Sequence, residues 1–125
     1  MSVNLKIYDE SFPSSLTNQK LPEVFIIKKD PSGKIVNKNY RKYVINRNAK
    51  KHEYELDSVI IRDTKKRHFC CLVTCNKEDM GFDGDSFGKL VKMSWKNKIN
   101  SDKNFSFEQQ ELVWNFSNGY QYLFY

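Results

Sequence analysis

The feature that most constrains this chain is a succession of short β-favouring runs, each ended by turn or polar residues. "EVFIIKK" (Glu23–Lys29), "YRKYVIN" (Tyr40–Asn46), "YELDSVIIR" (Tyr54–Arg62), "HFCCLVTC" (His68–Cys75) and "GYQYLFY" (Gly119–Tyr125) are rich in β-branched and aromatic residues. The unbroken apolar block Val24–Ile27 predicts a strand covered on both faces. "DPSG" (Asp30–Gly33) is type I turn chemistry, so "KIVNK" is expected to return antiparallel. The polar linker "DTKKR" joins two further runs into a second hairpin, and "MGFDGDSFG" reads as a strand end running into turns. Ser106, with Gln109 three residues on, forms a capping-box pattern that predicts a helix through "FEQQELVWNF". Residues 1–20 lack periodicity and read as a loop or arm, leaving 21–125 as a single domain. The expected fold class is α+β, a mostly antiparallel β-sheet with one or two short helices.

Length and charge then narrow the function. A chain of 125 residues, 39% hydrophobic, suffices for one core. The net charge of +6 is concentrated: Lys28, Lys29, Lys34, Lys38, Arg41, Lys42, Arg47, Lys50 and Lys51 face one acid, Asp30, across that window. Such a region can draw nucleic acid, with Tyr40 and Tyr43 as candidates for base stacking, or another acidic surface. The plainer reading is a solvated hairpin whose outward positions are lysines. No apolar run has the length of a membrane span, and "MSVNLKIYDESF" lacks the basic-then-apolar layout of a secretory signal. Three cysteines, two of them adjacent, make a poor disulfide framework. The expectation is a reducing, intracellular setting, cytoplasmic or nuclear. The wealth of Lys, Asn, Ile, Tyr and Phe suits an AT-rich genome, and a virion or assembly component is the expectation if that genome is viral.

The cluster His68, Cys70, Cys71 and Cys75 invites a metal reading, and strand geometry argues against it. On a strand, His68, Cys70 and Thr74 point one way, Cys71 and Cys75 the other. Cys71 and Cys75 would stand about 13 Å apart, far beyond a tetrahedral zinc site of roughly 2.0–2.3 Å radius. Neither a metal nor another cofactor is expected, and the cysteines read as small buried hydrophobes.

The order of the segments resembles the C-terminal part of the catalytic domain of ubiquitin-specific proteases, the papain-like cysteine deubiquitinases. "LPEVFII" is similar to that family's leucine-proline strand, "DPSGKIVN" to its following hairpin, and "YELDSVIIRD" to the strand before its catalytic histidine. "HFCCLV" resembles the histidine box, "GFDGDSF" the Phe-Asp-Asp stretch, and "YQYLFY" the closing strand. The match covers about residues 21–125 in the family's order. It implies the palm-like half of a papain-like fold, with His68 at the general base and Asp83 at the residue that orients it. In such a triad the histidine activates a thiol and the carboxylate fixes the imidazole tautomer. The arrangement looked for places Nδ1 of His68 toward Asp83.

The family's nucleophile sits at a helix start far upstream of the leucine-proline strand, and no cysteine occurs among residues 1–20. Cys70 is a poor substitute: on a strand it stands beside His68, about 6.6 Å away between Cα atoms, with no helix N-terminus or oxyanion hole. Arg67 stands where the family has glycine, Gly84 replaces the second aspartate, and Asp79 replaces a tryptophan. The basic "DTKKRH" approach would repel the arginine-bearing tail of ubiquitin, by about 1 kcal/mol per close pair in water. The expectation is therefore a non-catalytic, degenerate binding or scaffold module with a protein partner, ubiquitin or a ubiquitin-like protein being the partner the resemblance names. The alternatives are half of a deubiquitinase, supplying His68 and Asp83 to a cysteine on a partner chain, and a basic nucleic-acid-binding protein.

Overall fold

The structure, a computed structural model, describes residues 6–10, 21–31, 39–63, 68–83, 90–101, 103–107 and 113–125. The expected "KIVNK" return strand falls outside them. The described residues form nine strands: β1 (Ile7–Tyr8), β2 (Ile26–Lys29), β3 (Lys42–Arg47), β4 (Lys50–Glu55), β5 (Ser58–Asp63), β6 (His68–Cys75), β7 (Glu78–Phe82), β8 (Val91–Lys92) and β9 (Tyr120–Phe124). Seven form one sheet in the order β1-β2-β9-β5-β6-β7-β8, and β3 and β4 pair separately. Among the described strands β1 and β2 run parallel, and the other pairs are antiparallel.

The β-rich expectation is met, with three corrections. The segment read as an arm contributes a strand, because Ile7 and Tyr8 pair with Ile26 and Ile27. The run "YELDSVIIR" is two strands: Leu56 and Asp57 break it, Tyr54 belonging to β4 and Ser58–Arg62 to β5. The predicted helix after Ser106 is contradicted at its described ends. Phe105 and Trp114 exchange backbone hydrogen bonds of 2.8 and 2.7 Å, an antiparallel bridge rather than a helical ladder. Its alternating aromatics (Phe105, Phe107, Trp114, Phe116) are all buried, so core packing overrides the capping signal. Among the described residues the one helical element is a 3₁₀ turn, Lys96–Lys98.

Strand register divides the large sheet into two faces. The inner face carries Ile27, Leu123, Val59, Ile61, Cys70 and Leu72, all buried. Trp95, Ile99, Phe105, Phe107, Trp114 and Phe116 join them in one core. Complete burial of such side chains contributes about 1.5–3 kcal/mol each. Gly81, opposite Leu72, lies under Phe107, and a Cβ there would collide with the ring. At the other end of the sheet, Phe25 stacks on Tyr125 at 5.1 Å and meets Tyr43 and Tyr54 edge-on at 5.7 and 4.7 Å. These contacts seat the β3–β4 hairpin on the sheet, and the hydroxyl of Tyr125 donates to the Tyr40 carbonyl at 2.5 Å.

Two hairpins turn through a pair of residues with positive φ: Asn48 and Ala49 (53° and 60°), then Asn76 and Lys77 (50° and 66°). This is the left-handed pair that tight hairpins require, and Asn-Gly satisfies it best. Ala49 and Lys77 meet a steric penalty there of roughly 1–2 kcal/mol, partly offset against glycine by its larger entropy loss. Ala49→Gly and Lys77→Gly are each expected to stabilise the protein by about 0.5–1 kcal/mol. Urea unfolding checks this; an unchanged or lowered midpoint would contradict the turn assignment.

Candidate functional site

β6 begins where β7 ends, so antiparallel pairing brings their two termini together. His68 opens β6, and Asp83 follows Phe82, the residue paired with Cys71. His68 Nε2 lies 2.7 Å from each carboxylate oxygen of Asp83. Asp83 is fully buried and the His68 side chain is 13% exposed. A carboxylate only accepts, so the ring donates from Nε2 and, when neutral, carries its lone pair on Nδ1. The ring is therefore reversed from the arrangement looked for.

Trp114 forms the wall of this corner, its ring 5.7 Å from the imidazole at an interplanar angle of 36°. Its indole nitrogen is buried with no hydrogen-bond partner among the described residues. Reading "FEQQELVWNF" as a helix hid this residue's role. The signal available in the sequence was the alternation of aromatics at 105, 107, 114 and 116.

The three cysteines are free thiols. Cys70 shares the inner face but is 1% exposed, and burial, then the charges of Asp83 and Cys71, push its thiol far above the ordinary value. Cys71 points to the other face, its thiol also raised by burial and Asp83. Cys75 stands seven residues along the strand, about 23 Å from His68. An activated thiol needs the opposite environment, with cations or a helix N-terminus favouring the anion. Among the described residues no group of three or more His, Cys, Asp or Glu side chains converges as a metal site.

The seven described members of the basic set differ in exposure. Lys28, Arg41, Lys42, Lys50 and Lys51 are exposed and Arg47 is half-buried, while Lys34 and Lys38 lie outside the described residues. Lys29 turns inward: its ammonium donates to the Phe116 carbonyl at 3.1 Å and lies 4.5 Å from the Tyr40 ring centroid. Gln121 donates to the same carbonyl. Lys42 and Lys51 both pair with Glu53, at 3.3 and 2.8 Å, and hold its carboxyl below the usual range, Lys51 contributing most. Tyr40 and Tyr43 are buried and closed to base stacking. What remains is a depression of about 850 Å³ between Leu21–Glu23 and the β3–β4 turn, where Arg47, Lys50 and Lys51 share the lining with Glu23 and Glu53. Asp79 accepts from the Lys96 amide at 3.3 Å and anchors the 3₁₀ turn.

Comparison with protein-family models, characterised proteins and solved structures gave no significant match.

Two measurements probe this corner. Asp83→Ala removes a buried acceptor and is expected to cost about 1–3 kcal/mol, with Asp83→Asn costing less because its amide oxygen still accepts from Nε2. Equal losses in urea unfolding would argue that the contact contributes nothing. The second measurement is alkaline stability. Folding raises the thiol of Cys70 from 9.0 and the phenols of Tyr40 and Tyr125 from 10.0, in each case chiefly by burial. The unfolded chain therefore releases these protons first, so stability is full below about pH 9 and declines above it. Cys70 alone is expected to cost about 1.4 kcal/mol per pH unit beyond its ordinary value, so Cys70→Ala should make the decline above pH 9 shallower, Cys71 still contributing.

Proposed function

We propose that this chain is a ubiquitin-specific-protease-like module, the histidine-bearing palm half of a papain-like fold, serving as a binding or scaffold unit without hydrolytic activity of its own. The observation that carries the reading is the His68–Asp83 contact. Two residues fifteen apart, placed by the ends of β6 and β7, meet at 2.7 Å in the order the resemblance implies. The second support is chemical: the thiol nearest in sequence, Cys70, is buried beside a carboxylate and is kept protonated. General-base chemistry without an activated nucleophile gives no acyl-enzyme.

The same contact favours a second reading, in which the dyad serves a cysteine supplied by another polypeptide. A buried carboxylate on one ring nitrogen orients the imidazole and fixes its tautomer, which a general base requires. Both readings predict that the protein alone neither cleaves a fluorogenic ubiquitin C-terminal substrate nor traps a thiol-reactive ubiquitin probe. Turnover or an adduct that vanishes in Cys70→Ser would overturn both. Turnover that appears only with a co-purifying polypeptide, and is lost by at least a hundredfold in His68→Ala, would select the second.

A further inference from the structure

The outer face of the large sheet is absent from the reading above, and its composition is distinctive. Register places Tyr120, Arg62 and Phe69 side by side across β9, β5 and β6. The next row on the same face runs Lys28, Tyr122, Ile60 and Cys71 across β2, β9, β5 and β6. Phe69 is 51% exposed and Tyr120 39%, so two aromatic rings flank an exposed arginine in open solvent. The Arg62 guanidinium lies 5.2 Å from the Phe69 ring centroid. A groove of about 330 Å³ runs over Ile60, Arg62, Phe69, Tyr120 and Tyr122 to Lys28. Among the described residues two cations and no carboxylate line it, so the complementary occupant is an anion.

We propose that this face binds single-stranded nucleic acid, bases stacking on Phe69, Tyr120 and Tyr122 while Arg62 and Lys28 meet phosphates. The occupant must supply planar apolar surface and negative charge together, at a short repeat. Neighbouring strands lie about 4.8 Å apart and same-face residues on one strand about 6.8 Å apart. Tyr120 and Tyr122 are thus successive platforms along β9, with Phe69 two strands away. An unpaired strand can lay bases on such rings, whereas a duplex keeps its bases stacked internally. This surface is distinct from the Lys28–Lys51 region, with which it shares only Lys28.

The test is fluorescence anisotropy of the full chain with labelled twenty-nucleotide poly(dT), poly(rU) and a duplex of equal length. At 50 mM salt the single strands are expected to bind and the duplex to bind at least tenfold more weakly. With two phosphates neutralised, the logarithmic salt slope should be about −1.4 for a single strand. Phe69→Ala and Tyr120→Ala should each weaken binding on the order of tenfold, while Phe69→Tyr, which keeps a stacking ring, should not. Thermal unfolding of each variant separates lost stacking from lost fold. The double variant Lys50→Ala with Lys51→Ala is expected to bind normally. Absence of binding at 50 mM salt, loss of binding in the Lys50/Lys51 variant but not in Phe69→Ala, or self-association abolished by Phe69→Ala would each overturn the assignment.

Discussion

The architecture depends on where β9 lies. Tyr120–Phe124 pairs with β2 on one side and β5 on the other, joining the β1–β2 pair to the β5–β8 meander. Leu123 sits between Ile27 and Val59, and Gln121 between Lys29 and Ile61. These residues are remote in sequence, so their pairing incurs a large loop-closure entropy before any burial offsets it. The aromatic ring cluster around Phe25 and Tyr125 follows from the same insertion, since Tyr125 exchanges backbone hydrogen bonds of 3.2 and 3.0 Å with Phe25. The β3–β4 hairpin docks on that cluster and so depends on β9 indirectly.

At the corner occupied by His68 and Asp83, one buried environment holds a histidine–carboxylate hydrogen bond and keeps a neighbouring thiol neutral. Burial removes Asp83 from water, which makes the imidazole hydrogen bond valuable and the loss of it costly. The same burial, with the same carboxylate nearby, keeps the Cys70 thiol protonated. A histidine–carboxylate pair and an ionised thiol need opposite local fields at this depth, and the strand supplies the field for the pair alone.

Much of the sheet was legible because its signal is local. "HFCCLVTC" is bounded by polar residues on both sides, and β6 covers those eight residues. β9 was equally plain from its aromatic content. Elements governed by distant partners were not legible. Ile7–Tyr8 is too short to carry a pattern and becomes a strand only because β2 has an edge to offer. The Asn48–Ala49 turn escaped because alanine does not advertise a positive φ, and so Tyr54 was assigned to the wrong strand. The Phe105–Trp114 bridge was masked by a capping pattern that tertiary burial overrode. At the site, the pairing of His68 with Asp83 entered only through a resemblance, and ring orientation depends on side-chain packing that no sequence pattern encodes. The inward turn of Lys29 was hidden for the same reason: a lysine run reads as surface, and only the nearby Phe116 carbonyl and Tyr40 ring make burial tolerable.

The flanking strands β1 and β8 are each two residues long. Lateral growth by ladder extension, the route by which sheets fuse into fibrils, needs a longer row of unsatisfied amides than either described border provides. Protection from that hazard has a geometric corollary. With its described rims this brief, the sheet offers another molecule more area across its breadth than along its edges.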